Sequence, residues 1–156
     1  MLFRSVLRVS TVAELFAAAG TLARVRPLRG ARTFIMTNGG GAGVLAADAA
    51  AACQVELPAL GDATLEELDR VLPAGWSRGN PVDIIGDAPA GRYVETLAAL
   101  GRDGGADAIL FAHAPTAIVS SEEIARVCAP IARASSVPVF GCWLGGEGLK
   151  IGRAHV

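Results

Sequence analysis

The sequence predicts an α/β fold in which a parallel sheet is covered on both faces by helices. Three observations predict it. Apolar residues make up 52% of the 156 residues and mean hydropathy is +0.44, yet charges interrupt every long apolar run, with Asp48 inside Ala42–Val55 and Asp107 ahead of Ile109–Ala112. Short apolar runs alternate with alanine-rich amphipathic stretches, the pattern of buried strands and crossover helices. The connections are short, which suits consecutive parallel strands joined through helices. A single domain of this size buries roughly 70% of its unfolded surface.

The elements follow in order. Thr11 to Val25 reads as an amphipathic helix, with Thr11 and Glu14 as a capping box and Val12, Leu15, Phe16 and Leu22 as its apolar stripe. Pro27-Leu28-Arg29-Gly30 ends it. Arg32–Thr37 is a strand, and a glycine-rich turn leads into a helix over about Gly43–Cys53. Val55-Glu56-Leu57 is a short second strand. Thr64 and Glu67 form a second capping box, opening a helix that stops at Leu72-Pro73.

Trp76 to Pro81 is a connecting loop, and Val82–Ile85 a buried strand. Gly86-Asp87-Ala88-Pro89 caps a helix running to about Leu100. Ala106–Ala112 is the most apolar strand, Ser120 and Glu123 start a helix ending near Ala134, and Val137–Trp143 is the last strand. Beyond the first helix the order is β-α-β-α-β-α-β-α-β. Five strands so connected predict a flavodoxin-like three-layer α/β/α sandwich with a five-stranded parallel sheet, its working edge at the carboxyl ends of the strands.

Composition removes several function classes. With 14 basic and 15 acidic residues the net charge is −1, and no basic cluster is interleaved with aromatics, so no nucleic-acid partner is expected. Nothing approaches the ~20 apolar residues of a membrane span, and the expected location is cytoplasmic. Cys53, Cys128 and Cys142 are far apart and odd in number. They read as buried reduced thiols, and no metal site is expected. Trp76, Tyr93 and Trp143 read as packing residues.

The two ends stand apart. Met1–Ser5 and Lys150–Val156 can be encoded by DNA strings of which one contains the reverse complement of the other, and both look like a short-read sequencing adapter. Residues 1–5 and 150–156 are therefore read as adapter artefacts, and His155 is set aside. Residues 6–28 are read as a helical connector and 29–149 as the domain, an internal piece of a longer protein.

Four loops share the working edge: Thr37–Gly43, Ile85–Pro89, His113–Ser121 and Leu144–Gly148. The first is the most informative. Gly39, Gly40, Gly41 and Gly43 strip it of side chains and permit positive φ, so backbone N–H groups and a helix N-terminus can converge on a phosphate or carboxylate. It lacks the Lys-Ser/Thr ending of a P-loop and the full G-x-G-x-x-G spacing. Asn38 and Thr37 either reach the ligand or bond the turn's own backbone. Thr116 and Ser120 precede a helix and either share that anion or cap the helix. Asn80, held out of helical geometry by Pro81, and Asp83, within an apolar strand, form a supporting loop. His113 ends a strand at the same edge. A packed histidine beside Pro115 is favoured over a general base or phosphohistidine, since no carboxylate neighbour is evident.

Two runs, Thr37-Asn38-Gly39-Gly40-Gly41-Ala42-Gly43-Val44-Leu45-Ala46-Ala47-Asp48 and Trp76-Ser77-Arg78-Gly79-Asn80-Pro81-Val82-Asp83-Ile84-Ile85-Gly86-Asp87-Ala88, together resemble one family. The chain looks like a flavodoxin-like domain of the NDP-forming acyl-CoA synthetases (ADP-forming acetate–CoA ligases), relatives of succinyl-CoA synthetase. The Asn-Gly-Gly-Gly form is most similar to bacterial chains that fuse the synthetase to a GNAT-type protein lysine acetyltransferase. In plain synthetases Gly39 is more often Ala and Ala42 more often Pro.

The resemblance implies an acid–thiol ligase that converts acyl-CoA, NDP and phosphate to acid, NTP and CoA through an acyl phosphate and a phosphohistidine. The phosphohistidine is expected upstream, matching no position here, so this chain supplies no catalytic residue and is expected to be inactive alone. CoA and ATP/ADP with Mg belong to the full-length protein, and none is expected on this domain alone. The implied partners are CoA-binding and ATP-grasp domains of the same protein or a partner subunit, acyl-CoA or acyl phosphate, and protein lysines through a GNAT domain. Two rivals stand beside this: a non-catalytic ligand-sensing module of such an acetyltransferase, and a free-standing mononucleotide binder. An apolar face is expected where the other domains dock.

Overall fold

The computed structural model describes residues 7–145. The termini read as adapter-encoded and the last three residues of the Leu144–Gly148 loop lie outside the described residues. Among those described, the elements are α1 (Val12–Leu22), β1 (Thr33–Thr37), α2 (Gly40–Ala52), α3 (Asp62–Val71), β2 (Val82–Asp83), α4 (Ala90–Asp103), β3 (Ala108–His113), α5 (Ser121–Ala134) and β4 (Val139–Trp143). The strands form one parallel sheet in the order β2-β1-β3-β4.

The sheet has four strands where five were expected, and Val55–Leu57 is the one that fails. It makes a single bridge, Arg32 to Glu56, in which Thr33 N donates to Glu56 O at 2.8 Å and Glu56 N to Ala31 O at 3.2 Å. The next rung would need an N–H at residue 58, which is Pro58 and has none. Asn80 takes that place. Its Nδ2 donates to Thr33 O at 2.9 Å and to Pro58 O at 3.1 Å, and its Oδ1 accepts from Ile35 N at 2.9 Å. One side-chain amide thus continues the edge of β1 until β2 begins at Val82. Consequently β2, the third predicted strand, lies on the outer side of β1, and β1 pairs directly with β3.

Residues of the strands alternate between two faces. Phe34, Met36, Val82, Ile84, Ile109 and Phe111 meet Leu68 of α3, Leu97 and Leu100 of α4, and Ile124 and Cys128 of α5 in the main core, together with Trp76 and Tyr93. Burying each large side chain contributes about 1.5–3 kcal/mol. The opposite face carries α2, whose Gly43 lies over Thr37. A β-carbon at Gly43 would stand 3.1 Å from Thr37 Cγ2 and 3.6 Å from Pro81 Cβ. The close approach of helix to strand therefore depends on that glycine. Gly43→Val is expected to destabilise the domain by about 1–3 kcal/mol, whereas Gly41→Ala, which meets open space, should not. Paired urea titrations check both.

Of the caps predicted at Thr11, Thr64 and Ser120, two form. Glu14 N donates to Thr11 Oγ1 while the Glu14 carboxylate accepts from the Thr11 N–H, and Glu123 N donates to Ser120 Oγ at 3.2 Å. The Thr64–Glu67 box does not. α3 already begins at Asp62, with Gly61 as its N-cap and Thr64 buried inside it. Asp62 places a carboxylate in the first turn, where the helix dipole favours it, and Asp103 Oδ2 accepts from Gly61 N at 3.0 Å. The cysteine expectation also fails in part: Cys128 is buried, its thiol pushed up to about 12 by desolvation, but Cys53 and Cys142 are exposed.

None of the α1 residues is buried. Its stripe of Val12, Leu15, Phe16 and Leu22 faces solvent, as do Val44 and Leu45 of α2. No described helix is long and apolar enough to cross a membrane.

Candidate functional site

In a parallel sheet all strands end on one side, so the segments after β1, β2 and β3 meet there. The glycine run does not use the positive φ that glycine permits, and it forms the first turn of α2 where a separate turn ahead of Gly43 was expected. Gly39 is extended, with φ −156° and ψ 120°, and acts as the N-cap of α2, while Gly40, Gly41 and Gly43 are helical. Among the described residues the glycines with positive φ are Gly104 and Gly145. Glycine matters here through bareness. The Gly39 cap offers no side-chain hydrogen bond, and the first helical N–H groups have no intrahelical partner. Gly40 and Gly41 are exposed, so a small anion can reach them without meeting a side chain at Gly41.

The side chains around the run are committed to holding it. Thr37 is fully buried, its Oγ1 accepting from Gly39 N and donating to Gly39 O, both at 3.2 Å. Asn38 is also buried and bonds reciprocally with Ala114: Nδ2 donates to Ala114 O and Oδ1 accepts from Ala114 N, both at 2.8 Å. That pair fastens the start of α2 to the loop after β3. Asp83 is half-buried, and its Oδ1 accepts from Ile85 N at 2.9 Å. Its Oδ2 stands 3.4 Å from where a β-carbon of Gly40 would be. Ile85 has φ +67°, a rare conformation for a β-branched residue, so this loop is held under strain beside the site. Asn80 sits farther back, along β1, as described above.

Across the edge, Thr116 is half-buried in the loop before α5, and Ser120 Oγ accepts from Glu123 N as the helix cap. The residue turned inward is Ser121, whose Oγ lies 3.0 Å from His113 Nε2. The sequence reasoning passed over Ser121. Period-2 alternation from Ile109 and Phe111 was the available signal, since it aims His113 at the face that α5 covers.

His113 is fully buried, with rings of Trp143, Tyr93 and Phe111 at centroid distances of 4.7, 5.7 and 6.2 Å. Burial pushes its imidazole below the ordinary histidine range, so the folded protein holds it neutral. Unfolded chains protonate first as the pH drops through about 6.5. The stability this histidine contributes is therefore complete above that value and drains away on acidification. The wild-type urea midpoint should fall between about pH 7 and 5.5 by more than that of His113→Phe, the surplus being the histidine's own.

Among the described residues no three His, Cys, Asp or Glu side chains come together as a metal site. What the edge fits is an oxyanion: a bare helix start, fixed by Thr37, Asn38 and Ala114, at the same edge of the sheet as the start of α5 at Ser121.

Comparison with known proteins gives this geometry a family. The Ligase-CoA domain profile matches residues 33–139. The ADP-forming acetate–CoA ligase I of Archaeoglobus fulgidus is 40% identical over 112 residues, 72% of this chain and 16% of the relative. The alpha subunit of ADP-forming acetate–CoA ligase II of Pyrococcus furiosus is 36% identical over 105 residues, 67% of this chain and 23% of the relative. The dinucleotide forming acetyl-coenzyme A synthetase 1 of Ca. Korarchaeum cryptofilum, solved in complex with phosphate and ADP, superposes with a TM-score of 0.85 at 26% identity, over 96% of this chain and 32% of that one. The chain thus spans about a quarter or less of these curated relatives. With the profile covering β1, α2 and the loops of the candidate site, the chain belongs to the Ligase-CoA domain family and is homologous to that domain of ADP-forming acetate–CoA ligases.

Proposed function

We infer that the chain is the domain of an ADP-forming acyl-CoA ligase, of the acetate–CoA type, that faces the acyl and phosphoryl groups during transfer. The observation that carries this is the bare start of α2, with its unpartnered N–H groups locked in place by the Asn38–Ala114 pair. Gly40, Gly41 and the first N–H groups of α2 bind the anion, Gly39 forms the bare cap beside them, and Thr116 and the start of α5 close the opposite side. The helix dipole contributes about 0.3–2 kcal/mol to such binding, enough to orient an oxyanion but not to drive the reaction. His113 is fully buried and cannot itself receive a phosphoryl group, so the phosphohistidine comes from another part of the enzyme.

The resemblance to multi-domain ligases supports the rest of the assignment. CoA, ATP or ADP and Mg belong to CoA-binding and ATP-grasp domains of the same protein or a partner subunit. The relatives named above are ligases, which favours ligation over an acetyltransferase role. An exchange experiment tests it: residues 33–139 replace the matching segment of the Archaeoglobus fulgidus ligase, and ATP formation from acetyl-CoA, ADP and phosphate is measured. Retained turnover, lost on Gly41→Glu, is expected. A soluble, assembled chimera whose turnover is indifferent to Gly41→Glu contradicts the reading.

A further inference from the structure

His113 is placed unlike an ordinary core histidine. Its Nε2 meets Ser121 Oγ at 3.0 Å, while Nδ1 is buried with no hydrogen-bond partner. Ser121 is the first residue of α5, half-buried, beside the loop that Asn38 ties to the glycine run. The two neutral tautomers differ in what they leave unpaired. If Nδ1 carries the proton, an N–H donor is sealed among Trp143, Tyr93 and Phe111 with no oxygen or nitrogen to accept it. If Nε2 carries it, the proton goes to Ser121 Oγ and only an acceptor lone pair is left in the aromatic surroundings. A doubly protonated ring would both bury a charge and strand the same donor. The Nε2–H form costs least.

That choice has a chemical consequence. A serine hydroxyl has one proton. When Oγ accepts from His113, its own hydrogen is released from the protein interior and is free to be donated elsewhere. We propose that His113 is a positioning residue, which as the Nε2–H tautomer fixes Ser121 as a hydrogen-bond donor to the oxyanion held between the starts of α2 and α5. This rests on the reading of that edge as an acyl and phosphoryl site and assigns it a further ligand contact. Ser120, one residue earlier, is held by the helix cap instead of by the histidine, its oxygen accepting from Glu123 N.

The test uses the 156-residue chain, isotope-labelled, with inorganic phosphate as probe. Ring nitrogen shifts of His113 should report protonated Nε2 and bare Nδ1. Phosphate should shift the amides of Gly40–Ala42 and of Ser121 together. His113→Phe keeps an aromatic ring but loses the donor, and with Ser121→Ala it should weaken phosphate binding roughly tenfold, the loss of one hydrogen bond to a charged group. His113→Gln, which can present an amide N–H to Ser121, should restore much of it, a rescue that simple packing would not produce. Protonated Nδ1, or His113→Phe binding phosphate as wild type does, overturns the proposal. Shifts at Gly40–Ala42 without any at Ser121 overturn it while leaving the functional reading intact. No shift at Gly40–Ala42 in the wild type removes the functional reading and this role with it.

Discussion

Asn80→Ala is expected to destabilise the domain by about 3 kcal/mol, because it strands Ile35 N, Thr33 O and Pro58 O at once. Few single side chains here hold three backbone groups in separate segments. For a chain of this length that is a drop in Tm of roughly 6–12 °C, readable by calorimetry or by the urea midpoint. Asn80→Asp separates the contributions, keeping the acceptor for Ile35 N but losing both donations. It should fall between wild type and alanine. A cost below half a kcal/mol for Asn80→Ala would mean that water or Pro58 repacking replaces the amide, and the account of the missing fifth strand would fail with it.

Gly41→Glu is expected to abolish anion binding at the start of α2 while leaving the fold intact or slightly more stable. A side chain at Gly41 meets open space. A helical glycine replaced by glutamate gains up to about 1 kcal/mol in propensity, and an acidic group in the first turn adds roughly 0.3–1 kcal/mol through the dipole. The same carboxylate competes for the N–H groups that would hold the ligand and repels any oxyanion that approaches. Loss of phosphate binding by at least a hundredfold, with an unchanged or raised melting temperature, is the expected pair of results. Phosphate binding that survives this substitution would place the anion elsewhere.

Much of this was legible before the structure, for identifiable reasons. The Thr11–Glu14 and Ser120 caps are local hydrogen bonds between residues three apart, so sequence spacing alone specifies them. β1 and β3 are continuous apolar runs in the middle of the sheet, where burial on both faces suppresses ambiguity. The illegible parts are tertiary. Whether Val55–Leu57 becomes a strand depends on Pro58 and on a side chain 22 residues beyond it. The start of α3 moved to Asp62 because Asp103, 42 residues from Gly61, holds its N-cap.

The site shows the same division. The glycine run, Asn38 and the helix starts were visible as a group, but bareness rather than positive φ is what glycine supplies there. Thr37 and Asn38 fasten the loop through Gly39 and Ala114, while the second amide hydrogen of Asn38 lies outside that pair. Ser121 was hidden behind Ser120, and only the aim of His113 distinguishes the two. Cys142 was expected to be buried. It lies on β4, an edge strand whose register places it on the face opposite to Trp143 and α5, where it remains exposed.

The most direct test of the central claim is a backbone amide titration of the whole chain with inorganic phosphate. The account predicts saturable shifts concentrated at Gly40, Gly41 and Ala42, absent in Gly41→Glu. Shifts scattered over the arginine-bearing surfaces, or none at the start of α2, would contradict it.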